Sequence, residues 1–153
     1  MSEQPRAPVP RSPEAVDEGL DEAMIHDVVH RFYATAREDP VIGPVFRAHV
    51  PDAQWHHHLA RIETFWCSTL LGTRAYDGRP MPKHLAIPEL SDVHFRRWLA
   101  LFRHTVEMLC PPKTAQLFVA RSERIAEAFR INIAMHRKKD LVFHAPLTRE
   151  PYP

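Results

Sequence analysis

Residues 54–66 read QWHHHLARIETFW, three consecutive histidines set among large apolar side chains. Whether His56, His57 and His58 form one cluster depends on the backbone that carries them. In a helix each residue turns about 100° round the axis, so Trp55, Leu59, Phe65 and Trp66 fall within roughly 60° of Ile62 and make one apolar stripe. On that wheel His58 lies about 40° from the centre of the stripe, while His56 and His57 lie at about 120° and about 140°. The triplet therefore divides: His58 turns inward with the stripe, and its two neighbours face water.

The same period runs through the rest of the chain. Residues 20 to 38 place Ile25, Val29, Phe32, Tyr33 and Ala36 on one stripe. From Ser91 onward Phe95, Trp98, Leu99, Phe102, Val106 and Leu109 recur at helical spacing, and about 113 to 138 presents Phe118, Ile125, Phe129 and Ile133. Proline lacks the amide donor that a helix interior needs, so the prolines at 40, 44, 51, 80, 82, 88, 111 and 112 mark the boundaries. A short turn is expected at 40–48, then a helix from Asp52, its N-cap, to Leu71. No segment alternates with the period of a strand and no repeat is visible, so the fold class is all-α. The other prolines crowd the ends, which predicts disordered tails at 1–19 and 139–153 around one domain at 20–138.

Composition narrows the partners. The chain has 153 residues, long enough for a single core, and 20 basic against 19 acidic side chains give a net charge of +1. No electrostatic footprint for nucleic acid or a membrane stands out, and the expected partner is a small molecule. No apolar run approaches the roughly 18 residues of a membrane span, and the first residues lack the apolar core of a signal peptide, so a cytoplasmic location is expected. Cys67 and Cys110 are too few for a disulfide scaffold. Cys67 falls about 140° from Ile62, which predicts an outward, inert thiol that could oxidise if exposed. With only four glycines there is no glycine-rich phosphate loop.

One segment does not behave like packing. Residues 73 to 90, TRAYDGRPMPKHLAIPEL, form a connection with room for little more than one helical turn, a length often tied to function. Within it His84 is bracketed by Met81, Leu85 and Ile87 and by Pro80, Pro82 and Pro88, which restrict the backbone and fix the direction of the imidazole. Two readings are open for such a residue: a core histidine bonded to a carbonyl, or a neutral imidazole serving as a metal ligand.

RFYATAREDPVIGPVF at 31–46, WHHHLARIETFW at 55–66, LLGTRAYDGRPMPKHL at 70–85 and HFRRWLALFRHTV at 94–106, in this order and spacing, resemble the truncated haemoglobins of the third group. The resemblance covers about 20–138 and leaves both tails without a counterpart. It implies a shortened globin fold, two helix pairs sandwiching a non-covalent haem b; no C-x-x-C-H for covalent attachment occurs. By the resemblance His84 is the iron ligand, and Tyr33, His58 and Trp98 form the distal pocket. Phe46 matches the aromatic residue that packs on the porphyrin. The glycine pairs of the first and second groups are missing, as they are in the third. The wheel agrees without using the family: Tyr33 lies about 40° from Val29 and Trp98 about 40° from Phe102, both on inward stripes. Ile62, Phe65, Met81, Leu85 and Phe95 complete an apolar lining, and Lys83 or Arg79 could meet a haem propionate.

The resemblance implies a pocket for diatomic gases or peroxide, with an unidentified reductase as redox partner. Two functions fit: oxygen and nitric oxide chemistry, or a peroxidase-like activity in which His58 moves a proton. A rival from another class is a haem-free helical interaction domain, which explains the stripes but not a proline-bracketed His84. Elsewhere, HDVVH at 26–30 is similar to the zinc-binding H-E-x-x-H, but Asp27 is one methylene shorter than the required Glu and His30 lies about 100° off its stripe. No serine, histidine and acid stand at a hydrolase spacing.

Overall fold

The computed structural model describes residues 20–73, 78, 80–137 and 145–153, the side chains of 80–82 excepted. The expected tail at 1–19 lies outside the described residues, as do Arg79 and 138–144. Among the described residues every regular element is helical: α1 (Glu22–Glu38), α2 (Gly43–His49), a 3₁₀ turn (Asp52–Gln54), α3 (Trp55–Leu71), α4 (Pro80–Leu85), α5 (Asp92–Leu109) and α6 (Pro112–His136). The all-α expectation holds. No described helix is long and apolar enough to cross a membrane.

Local chemistry sets the helix ends. The Asp21 carboxylate accepts the backbone N–H of Met24 at 2.8 Å and starts α1. At Ser91 the backbone N–H donates to Nδ1 of His94 at 3.1 Å, so a histidine takes the reciprocal role usually played by Glu or Gln in a capping box. Gly72 closes α3 with a φ of 73°, the left-handed conformation that favours glycine.

α1 packs against both α3 and α5, and α5 runs along α6, which also carries α4. Phe32, Phe102 and Phe118 are fully buried where these helices meet, each worth about 1.5–3 kcal/mol of transfer free energy. The apolar interior falls into two clusters. The larger holds the α1 stripe with Trp55, Leu59, Trp66, Phe102 and Phe118. The smaller holds Leu90, Phe95, Ala126 and Ile133, with Leu85, Ile87, Leu99, Phe129 and Leu147 packed against it.

Four expectations are corrected. The stretch 40–48 is not a mere turn, because Gly43–His49 is helical. Asp39 turns the chain into α2 by accepting the N–H groups of Val41 and Ile42 at 2.8 and 3.0 Å. Gly43 then lets α2 abut the end of α1: a Cβ there would stand 2.6 Å from the Arg37 carbonyl oxygen. Asp52 does not cap α3. It opens the preceding 3₁₀ turn and its carboxylate pairs with Arg37. Cys67 is buried rather than outward, because α1 covers a second flank of α3 that a single-stripe wheel leaves to solvent. Residues 145–153, expected as part of a disordered tail, are held to the helices. Arg149 forms a bidentate pair with Glu123 at 2.8 and 2.9 Å, Arg103 donates to the Glu150 carbonyl at 2.9 Å, and the Tyr152 hydroxyl donates to Asp39 at 2.9 Å.

Candidate functional site

The histidine triplet divides as its geometry requires, His56 and His57 exposed and His58 half-buried. Inward of His58 the α1 stripe brings Tyr33 to a centroid separation of 6.3 Å, with the two rings nearly perpendicular at 89°. Tyr33 is 6% exposed and lies within hydrogen-bonding reach of the Trp98 indole on α5. Burial drives the phenol well above its ordinary pKa, against the smaller opposing effect of that indole, so it stays protonated. An indole N–H can only donate, so the phenol keeps its own proton to give.

Aromatic packing fixes this pair. Phe32 meets Tyr33, Trp98 and Phe102 edge to face at 4.7, 5.5 and 5.3 Å. Trp98 stacks on Phe102 at 5.0 Å, and Phe102 on Trp66 at 5.1 Å, so the indole stands at the end of a column of three rings. Phe46 is half-buried and closes the α2 side, its ring 5.5 Å from Tyr33 and 6.2 Å from Trp55. Ile62 and Phe65 are half-buried against the larger cluster.

His84 belongs to the other side. Its imidazole stacks on Phe129 of α6 at 4.2 Å with 20° between the planes. Phe129 is visible in the sequence as part of the α6 stripe, but nothing in the spacing pairs it with His84. Leu85 and Phe95 pack in the same smaller cluster. Lys83 is exposed. Of Met81, in the first turn of α4, the side chain lies outside the described residues.

The two sides lie within electrostatic reach of each other. The pKa of His58 is lowered, by burial first and then by the positive charges of Lys83, His84, Arg61 and His57. Its imidazole is thus held neutral, able to donate from one nitrogen and accept at the other. Tyr33 lies in the larger cluster with Trp98 packed against it and His58 beside Tyr33, while His84 stacks on Phe129, which packs against the smaller cluster. Lys83 and His84 on α4 act electrostatically on His58 of α3, although they stand in the 73–90 connection, beyond the end of that helix in sequence.

No family profile matches the chain. A curated relative, the group 3 truncated hemoglobin ctb of Campylobacter jejuni, is 30% identical over 115 residues, spanning 74% of this chain and 91% of the relative. The crystal structure of the group III truncated hemoglobin from Campylobacter jejuni matches with a TM-score of 0.70 at 29% identity, covering 74% of this chain and 91% of that one. The likeness covers most of the helical domain, and the chain belongs to the group III truncated haemoglobins.

Proposed function

We propose that this globin holds a non-covalent haem b between its two apolar clusters, with His84 as the iron ligand, and binds dioxygen or nitric oxide on the face lined by Tyr33, Trp98 and His58. Membership of the family implies haem. The donor set fits it: an imidazole pinned flat on Phe129 on one side, three hydrogen-bonding aromatic side chains on the other, and apolar walls between. When bound, the iron supplies an open coordination position for a diatomic ligand or peroxide. Tyr33 would donate its phenolic proton to the ligand, while Trp98 orients the phenol through its indole N–H. A preorganised donor of this kind stabilises a partly negative ligand by roughly 1–3 kcal/mol, and carbon monoxide gains far less. Neutral His58, half-buried at the mouth, would donate as well or gate entry. Phe46, Ile62, Phe65, Met81, Leu85 and Phe95 would exclude water and hold the macrocycle, and the exposed Lys83 would meet a propionate from solvent. An external reductase would restore the ferrous iron. Two unpaired cysteines fit a reducing compartment such as the cytoplasm.

The observation that carries this reading is the convergence of three polar aromatic side chains on one apolar cluster, His58 6.3 Å from the buried Tyr33 and Trp98 beside it, a set suited to a small polar ligand. Stopped-flow mixing of the oxygenated protein with nitric oxide, beside peroxide turnover by the ferric protein, tests it. Rapid conversion to nitrate with slow peroxide turnover is expected; a colourless protein that refuses hemin, or peroxide turnover alone, contradicts it.

A further inference from the structure

At the surface of α1 the two histidines of HDVVH meet a carboxylate from another helix. His26 and His30 stand one turn apart with ring centroids 4.0 Å from each other, and Glu63 reaches them from α3. Nδ1 of His26 lies 3.0 Å from both carboxylate oxygens, and Nε2 of His30 lies 3.5 Å from Oε2. One ligand atom from each of the three residues falls within 4.8 Å of the others. His26 is exposed and His30 and Glu63 are half-buried, so the group opens to solvent.

We propose that His26, His30 and Glu63 form a second metal site, separate from the haem pocket, that takes a divalent first-row transition ion of the zinc class. Size supports the assignment. A tetrahedral zinc with bonds of about 2.0–2.1 Å to nitrogen and oxygen holds neighbouring ligands about 3.3 Å apart. The 3.0 and 3.5 Å separations straddle that edge, so an ion can enter with small rotations of exposed side chains. The chemistry selects the ion: two imidazoles and one carboxylate suit zinc, copper or nickel, whereas calcium and magnesium prefer an all-oxygen shell. Asp27, the acid inside the sequence motif, is not among the three. The carboxylate comes instead from α3, a pairing across 37 positions that the motif alone does not reveal. Metal binding replaces the His26–Glu63 hydrogen bond, with Nδ1 of His26 presenting its lone pair and Nε2 keeping the ring proton. The remaining coordination positions are left to water. Because the ligands come from α1 and α3, the ion clamps together the two helices that carry Tyr33 and His58.

The test is calorimetric titration of the untagged, haem-loaded full chain with zinc chloride, together with thermal unfolding. One zinc is expected to bind per chain and to raise the melting temperature. His30→Asn and Glu63→Gln should each weaken that binding by about tenfold or more, at least the loss seen when a residue that merely orients a ligand is removed. They should also abolish the thermal shift while keeping the unliganded melting temperature near that of the parent. A His56→Ala, His57→Ala double variant controls for exposed histidines and should bind zinc as the parent does. Absence of zinc binding, or binding that survives both His30→Asn and Glu63→Gln at full strength, overturns the proposal.

Discussion

The Trp98 indole lies within hydrogen-bonding reach of the Tyr33 hydroxyl, so their replacements are expected to be coupled. Tyr33→Phe removes the hydroxyl within reach of the indole N–H and takes an acceptor away from a half-buried donor. Trp98→Phe keeps a ring to stack on Phe102 but frees a phenol that is 6% exposed. Each loss costs about 1–1.5 kcal/mol of stabilisation of a bound polar ligand, a rise of roughly tenfold in the dissociation rate. In the double variant the second replacement finds no partner left to disturb, so the combined rise should be nearer tenfold to thirtyfold than the hundredfold of independent sites. Stopped-flow dissociation of dioxygen from the four haem-loaded proteins measures this coupling. A hundredfold, additive rise would mean that Trp98 reaches the ligand by itself and does not work through Tyr33. Unchanged rates in both single variants would mean that neither side chain points at the ligand.

Other predictions concern the frame. Burial opposes the charge of Asp39, but hydrogen bonds from Ile42, Val41, Arg97 and Tyr152 together outweigh it and hold the carboxyl below its usual pKa. A depressed folded-state value means that this stabilisation is fully present above the unfolded value of about 3.9 and is lost as pH falls through the folded one. Asp39→Asn should therefore cost about 2–4 kcal/mol in urea unfolding at neutral pH, and the variant should lose less further stability in acid than the parent does. Burial, with smaller contributions from Glu22 and Glu63, pushes the Cys67 thiol up to about 11. It should resist an aromatic disulfide reagent in the native protein and react once the chain is unfolded, which a thiol assay with and without denaturant checks.

The local period made the helices and their inward faces legible. Tyr33, His58 and Trp98 were placed by angle alone, and the exposure of His56 and His57 followed from the same wheel. What the sequence hid was pairing at a distance. Cys67 looks outward on one wheel because the wheel does not know that α1 covers a second flank. Asp52 has the chemistry of an N-cap but finds Arg37, fifteen residues back, instead of its own helix. The proline-rich end reads as a tail because the Arg103 bond to Glu150 and the Tyr152 bond to Asp39 span 47 and 113 positions. The platform under His84 was unreadable for the same reason: α4 meets α6 only in three dimensions, and Phe129 is indistinguishable in sequence from its neighbours on the stripe.

The central claim is that the imidazole at position 84 bonds the haem iron. Substituting glycine opens a space into which free imidazole can diffuse, so His84→Gly tests the bond and not merely the fold. The account predicts that the variant loses haem readily and that added imidazole restores both haem retention and the parent's visible spectrum. Full haem occupancy with an unchanged ferrous spectrum in His84→Gly, without imidazole, would contradict it.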